Sequence, residues 1–281
     1  MQRVFSQDGT QIAYDVAGDG PALILVGGAL SFRGFEGARE MLALLAPRFT
    51  VINFDRRGRG DSGDTLPYAV EREVEDIEAL IDAAGGTAYL YGTSSGAVLA
   101  LEAASRLPDK VRGLLMYEPS LILDDRRPPV TADYVRRLEQ TLAEGRRGDA
   151  VALFMTDAVG VPQEFVDAMR YGDPQVAAGN GDTMTPPDWA RMEKLAHTLL
   201  YDQAIAGPTM RGDASLPARW AQATMPVLVV VGGNSEPFFH SGAQALVEHL
   251  PNAEYRVLEG QDHAVAPAAI SPLISEFFIP A

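Results

Sequence analysis

The chain has 281 residues, 47% of them hydrophobic, and carries a formal net charge of −15. That length and apolar content allow one large buried core, or a core with a sizeable insertion, while the excess of carboxylates repels phosphate backbones and anionic lipid surfaces, so nucleic-acid and membrane partners are not expected. Cysteine is absent, which excludes disulfides, a thiolate zinc site and a cysteine nucleophile.

Met1–Thr10 has no apolar signal core, and no later stretch is long enough to span a bilayer, so a cytoplasmic protein is expected. Two short strands, Val4–Ser6 and Gln11–Val16, flank an Asp8-Gly9 turn. The apolar run Ala22–Val26 reads as a buried strand ending at Gly27-Gly28. Arg39–Leu45 reads as a helix, Thr50–Phe54 as a strand, and Val70–Ala84 as a helix with Val74, Ile77, Leu80 and Ile81 at helical spacing. Ala88–Tyr91 is a strand, Gly96 to Arg106 a helix stopped before Pro108, and Val111–Tyr117 a strand. From Leu121 to Thr224 the pattern is helical and broken by Pro and Gly. Strands then return at Val227–Val231 and Glu254–Leu258, with helices at Ala243–His249 and Ile270–Phe278. Alternating strands and helices predict an α/β fold with a mostly parallel sheet covered on both faces. Residues 1–120 and 225–281 form the expected core domain, with 121–224 a helical cap inserted over the sheet end where ligands bind in open parallel sheets.

Gly92-Thr93-Ser94-Ser95-Gly96 fits G-x-S-x-G between a predicted strand and a predicted helix. In that context the turn is sharp, the central residue stands above the sheet, and the helix N-terminus favours developing negative charge. A plain Gly/Ser turn would not require that flanking pattern, so Ser94 is the expected nucleophile. A serine hydroxyl needs a base, and the base an orienting acid. His263 follows the last strand, where the chain order of such sites puts the base; His197, His240 and His249 lie elsewhere. For the acid, Glu118 at the end of the Val111–Tyr117 strand ranks first. Glu236 is the alternative acid, in the loop after Val227–Val231, and Asp262 is too near His263 in sequence to reach the far ring nitrogen. The oxyanion donors are expected to be the backbone N–H groups of Ser95 and Ala29, with Gly28 as the alternative to Ala29.

Gly58-Arg59-Gly60-Asp61-Ser62-Gly63 matches G-x-G-x-x-G, but Pro67 separates it from the next helix, so it does not open a dinucleotide site. Asp55-Arg56-Arg57-Gly58 reads instead as a loop buttressing the active site. No metal-ligand spacing is present, and neither cofactor nor metal is expected. The insertion holds Phe154, Met155, Met169, Tyr171, Met184, Trp189, Met192 and Tyr201. Most such residues are core, but Trp189, just after Pro186-Pro187, and Met155 are candidate walls of an apolar pocket.

These segments together resemble the α/β-hydrolase superfamily over nearly the whole length. Within it, Gly92-Thr93-Ser94-Ser95-Gly96-Ala97, Tyr117-Glu118-Pro119 and Gly232-Gly233-Asn234-Ser235-Glu236-Pro237-Phe238-Phe239 resemble the zearalenone lactone hydrolases. The resemblance implies an α/β-hydrolase fold, Glu118 as the acid, and Trp189 as a substrate contact; Phe239 joins it as an expected contact. The expected activity is hydrolysis of a hydrophobic carboxylic ester or lactone through an acyl-enzyme, a zearalenone-type macrolactone being the specific expectation. The expected partner is thus a small hydrophobic substrate, with a homodimer left open. Alternatives are a carbon–carbon bond hydrolase or perhydrolase on the same residues, or a ligand-binding receptor of low turnover. Epoxide hydrolases and haloalkane dehalogenases use a carboxylate nucleophile, and Ser94 argues against both.

Overall fold

Every residue of Ala22–Val26 is buried, and so is every residue of Val227–Gly232. Continuous apolar burial of this kind belongs to strands covered on both faces, and these two occupy interior positions of an eight-stranded sheet. A computed structural model describes residues 1–172, 188–212 and 219–280. The strands are β1 (Gln2–Phe5), β2 (Gln11–Ala17), β3 (Ala22–Val26), β4 (Thr50–Phe54), β5 (Ala88–Thr93), β6 (Val111–Tyr117), β7 (Val227–Gly232) and β8 (Ala253–Leu258). Their order is β1-β2-β4-β3-β5-β6-β7-β8; β2 runs antiparallel to both β1 and β4, and the pairings from β4 to β8 are parallel.

The side-chain alternation of β3 divides the core. Ile24 and Val26 point to one face, packed with residues of α2 (Val70–Ala83), α3 (Ser95–Arg106) and α9 (Pro237–His249). Leu23 and Leu25 point to the other, packed with Met41 and Leu45 of α1 (Glu36–Leu45) and with Ile270, Leu273, Ile274 and Phe278 of α10 (Pro267–Phe278). Because β3 pairs with β4 on one side and β5 on the other, the chain reverses direction across the sheet there. Such a switch point opens a crevice beyond the carboxyl ends of the strands.

Among the helices that begin earlier than the periodicity suggests, two do so at a proline. The helix expected from Ala243 starts at Pro237, and that expected from Ile270 starts at Pro267. Each proline stands at the start of its helix, where the missing N–H costs no hydrogen bond and the fixed φ already suits the helix.

By its internal contacts the chain divides into one unit of Met1–Pro129 with Ala204–Ala281 and a second of Val130–Gln203. Residues 121–129 and 204–224, expected as part of the insertion, therefore group with the first unit wherever they are described. The second unit contains α4 (Ala132–Ala143), α5 (Arg147–Leu153), a π-helical turn Phe154–Val159, α6 (Gln163–Tyr171), α7 (Trp189–Leu195) and the first part of α8 (Leu199–Ala206). Thr131 caps α4 by accepting from the Tyr134 N–H, and Asp188 caps α7 by accepting from the Arg191 N–H. Met184 and Pro186-Pro187 lie outside the described residues. Among the described residues no helix is long and apolar enough to cross a membrane.

The turn between β1 and β2 is tied to the sheet by charge. Asp8 accepts from the Thr10 N–H and from Arg57 Nη1, both at 2.9 Å, while the buried Arg57 also grips Asp76. Burial works to raise the Asp8 pKa, but the hydrogen bonds from Thr10 and the Arg57 guanidinium outweigh it and bring the carboxyl from 3.8 down to about 2. A carboxyl depressed on folding stabilises the folded state above its unfolded value and loses that contribution as pH falls through its folded value. Wild type should therefore lose melting temperature more steeply than Asp8→Asn between pH 3.8 and about 2. Parallel melting curves across that window would show that the Asp8–Arg57 contact adds nothing to stability.

Candidate active site

Ser94 follows the last residue of β5 and immediately precedes α3. Its backbone has φ 54 and ψ −125, a region that an L-residue enters at a cost of about 1–3 kcal/mol. The flanking glycines make this turn sterically possible. A Cβ on Gly92 would lie 2.6 Å from Ala97 Cα, and one on Gly96 would lie 2.3 Å from the Val26 carbonyl oxygen. The strand and helix thus approach too closely for any side chain at either place. The Ser94 N–H donates to the Tyr117 carbonyl at 3.0 Å, which fixes the turn against β6.

Glu118 stands where β6 ends, also at positive φ (46°), with its N–H bonded to the Val230 carbonyl at 2.9 Å. Its side chain is fully buried and well supplied with donors. Oε1 accepts from the Gly232 N–H at 2.8 Å and from the Ser235 hydroxyl, and Oε2 lies 2.7 Å from His263 Nδ1. A buried carboxylate is tolerated only with such partners. The Tyr117 hydroxyl donates to the Asp262 carbonyl at 2.5 Å and so holds the loop that presents His263. Burial, reinforced by the neighbouring Glu118 charge, pushes the Tyr117 pKa up, which keeps this phenol a donor. On its other side the His263 ring stacks on Phe239, with centroids 5.0 Å apart and planes 18° apart. The imidazole is thus oriented by a carboxylate at one nitrogen and an aromatic face, while the side chain stays 47% exposed.

The Ser94 hydroxyl lies 3.2 Å from the hydroxyl of the buried Ser120. Among the described residues no hydrogen bond joins it to His263. Contacts between nucleophile and base are often long without substrate and close when it binds. The other carboxylate considered, Glu236, is exposed at the head of α9, and the carboxylate bonded to His263 is that of Glu118.

Residues 27–31 follow β3 and lie against Ser94. A Cβ on Gly28 would sit 3.1 Å from Ser94 Cβ and 3.0 Å from the Thr93 carbonyl oxygen, so a side chain there would require the nucleophile turn to give by a few tenths of an ångström. Among the described residues the Ala29 N–H donates to no acceptor, and Ser95, the residue after Ser94, opens α3. Leu30 has φ 57; with Ser94 and Glu118 it makes up the non-glycine residues of positive φ among those described. All three stand at carboxyl ends of neighbouring strands or just beyond. The loop after β4 buttresses this region: Arg56 Nη1 reaches the Gly27 carbonyl and Arg59 Nη1 the Gly28 carbonyl. Its G-x-G-x-x-G stretch wraps the buried Asp55 carboxylate, which accepts from the N–H groups of Arg33 and Asp61.

A family model described as the alpha/beta hydrolase family matches residues 23–271. The chain belongs to that family. The crystal structure of an alpha/beta hydrolase from Sphaerobacter thermophilus is 49% identical, covers 99% of this chain and 100% of its own, and superposes with a TM-score of 0.86. A 2-(acetamidomethylene)succinate hydrolase of Mesorhizobium japonicum is 31% identical over 255 residues, covering 88% of this chain and 83% of that protein. The hydrolase YraK of Bacillus subtilis is 34% identical over 119 residues, and the match spans 41% of this chain and 43% of YraK, less than half of that relative.

In this alpha/beta hydrolase, Trp189 and Met155 belong to the second unit. The Trp189 indole donates to Glu193 at 2.9 Å, and Met155 is half-buried in the π-helical turn. Sequence reasoning passed over Ser120 and Ser235. Each is a small hydroxyl residue in a loop after a strand, a type too common in turns to stand out. The signal was their place, Ser120 two residues after Glu118 and Ser235 three after the last β7 residue.

Proposed function

We propose that the chain is a serine hydrolase that cleaves a hydrophobic carboxylic ester or lactone. The observation that carries this reading is the Glu118–His263 pair at 2.7 Å on the sheet rim that also lifts Ser94 at positive φ. Glu118 accepts from Nδ1–H, which fixes the tautomer with Nε2 free to take a proton. On substrate binding the Ser94 hydroxyl turns from Ser120 to His263. As Oγ adds to the carbonyl carbon its proton passes to Nε2, and the tetrahedral oxyanion is met by the Ala29 and Ser95 N–H groups. Collapse expels the alcohol, which takes the proton from His263. Water, deprotonated by the same imidazole, then attacks the acyl-enzyme and releases the acid and free Ser94.

A lactone follows the same steps with its alcohol tethered to the acyl group. A zearalenone-type macrolactone is the specific substrate proposed, on the resemblance of the segments around Ser94, Glu118 and Ser235. Phe239, stacked on His263, is the proposed apolar contact for that substrate. Incubation with p-nitrophenyl esters of increasing chain length and with zearalenone, products followed by mass spectrometry, tests the reading. Saturable hydrolysis of at least one member is expected. Tight, saturable binding without product would overturn it in favour of a receptor.

A further inference from the structure

We infer that Arg59 is a positioning residue that polarises the Gly28–Ala29 peptide and so strengthens the Ala29 N–H as an oxyanion donor. The inference rests on the hydrolase reading above. The Gly28 carbonyl and the Ala29 N–H belong to one planar amide, conjugated through its C–N bond. Density drawn toward the oxygen leaves the N–H more positive, and the trans geometry aims the two groups in opposite directions. Gly28 O accepts from Arg59 Nη1 at 2.6 Å and from the Ser31 hydroxyl at 2.6 Å. A charge-assisted bond of that length is stronger than a neutral one, and with Arg59 only 1% exposed no solvent screens it.

The arrangement is built rather than incidental. Gly58 and Gly60, both at positive φ, turn the chain on either side of Arg59 and send its guanidinium inward. A Cβ on Gly27 would lie 2.3 Å from the Ser31 hydroxyl, so that residue must also be glycine for Ser31 to reach the carbonyl. The neighbouring Gly27 carbonyl takes Arg56 Nη1 at 3.2 Å, while Arg56 is otherwise engaged by Glu73 through two bonds of 2.7 Å. Two buried cations therefore stand behind consecutive carbonyls of the loop that lies against Ser94. Held by three donors, the third being the Ser31 N–H at 3.3 Å, the Gly28–Ala29 peptide is kept from flipping, so polarisation and orientation come from the same contacts.

The test uses the full chain and an ester that wild type hydrolyses, with Arg59→Met, Arg59→Lys and Ser31→Ala. Readouts are kcat, KM and the inhibition constant of a boronic acid, whose tetrahedral adduct on Ser94 mimics the charged intermediate. Arg59→Met is expected to lower kcat about 10- to 100-fold with KM within about twofold, less than the loss of a whole oxyanion donor. Boronate affinity should fall by a similar factor, Arg59→Lys should recover most of both, and Ser31→Ala should lose about threefold in each. Unchanged kcat and boronate affinity in folded Arg59→Met would overturn the inference, as would a loss of kcat with unchanged boronate affinity. If Arg59→Met does not fold, Ser31→Ala decides, and wild-type values there overturn it. Labelling of wild type by a fluorophosphonate is measured first, because its failure removes the hydrolase reading itself, and this inference with it.

Discussion

Ser94→Ala is expected to lose ester turnover by about 10⁴-fold or more and to lose the covalent fluorophosphonate adduct that wild type forms, read by intact mass. The size follows from the part Ser94 plays: its oxygen makes the acyl bond, and water held by the remaining site is a far poorer nucleophile. The strained backbone at φ 54 sets Ser94 on the turn between β5 and α3, the place the nucleophile requires. Ser120, 3.2 Å away, is the internal control. It shares the neighbourhood but follows Pro119 in a loop rather than opening a helix, and Ser120→Ala should keep the adduct. An adduct that persists in Ser94→Ala and vanishes in Ser120→Ala would reverse the assignment.

Glu118→Gln should lower kcat about 10³- to 10⁴-fold with little change in KM, while Glu236→Gln stays within about twofold of wild type. The amide can satisfy the Gly232 N–H and the Ser235 hydroxyl through its oxygen, but its NH2 then faces His263 Nδ1. Two donors cannot share a bond, so the imidazole must carry its proton on Nε2, where it can no longer accept one from Ser94. Exchanging charge-assisted bonds for neutral ones around a fully enclosed side chain should cost about 1 kcal/mol of stability by thermal melting. Steady-state kinetics of both variants on one ester decide the matter; a large loss in Glu236→Gln with Glu118→Gln near wild type would move the acid to the loop after β7.

The sheet was legible because its strands are unusual sequence: runs such as Ala22–Val26 and Val227–Val231 are apolar without interruption, and little else fits a buried strand. Helix starts were less so where a proline begins the helix, because Pro237 and Pro267 look like loop residues until their neighbours are seen to be helical. At the site, Ser94 was readable from local spacing because both glycines stand two residues from it, although only Gly92 is demanded by near neighbours, Gly96 being demanded by Val26 and Gly27 at the end of β3. The choice between Glu118 and Glu236 was not local. It turns on the pairing of β6 with β7, which sets the end of one strand beside the loop of the next. Neither Arg59 nor Ser31 could be assigned a partner from sequence, since the carbonyl they share belongs to a different segment of chain from Arg59 and its orientation is a backbone property.

Ser94 and Glu118 sit on adjacent parallel strands joined by α3, and the acid reaches His263 from β6 rather than from the loop beyond β7. One uninterrupted stretch, from β5 to the residue after β6, thus contains both nucleophile and acid, and residues 233–236 are relieved of supplying a carboxylate. Ser235 keeps a hydrogen bond to the acid, so Glu236, exposed at the head of α9, is the position in that loop where the sequence can drift without touching the Glu118–His263 pair.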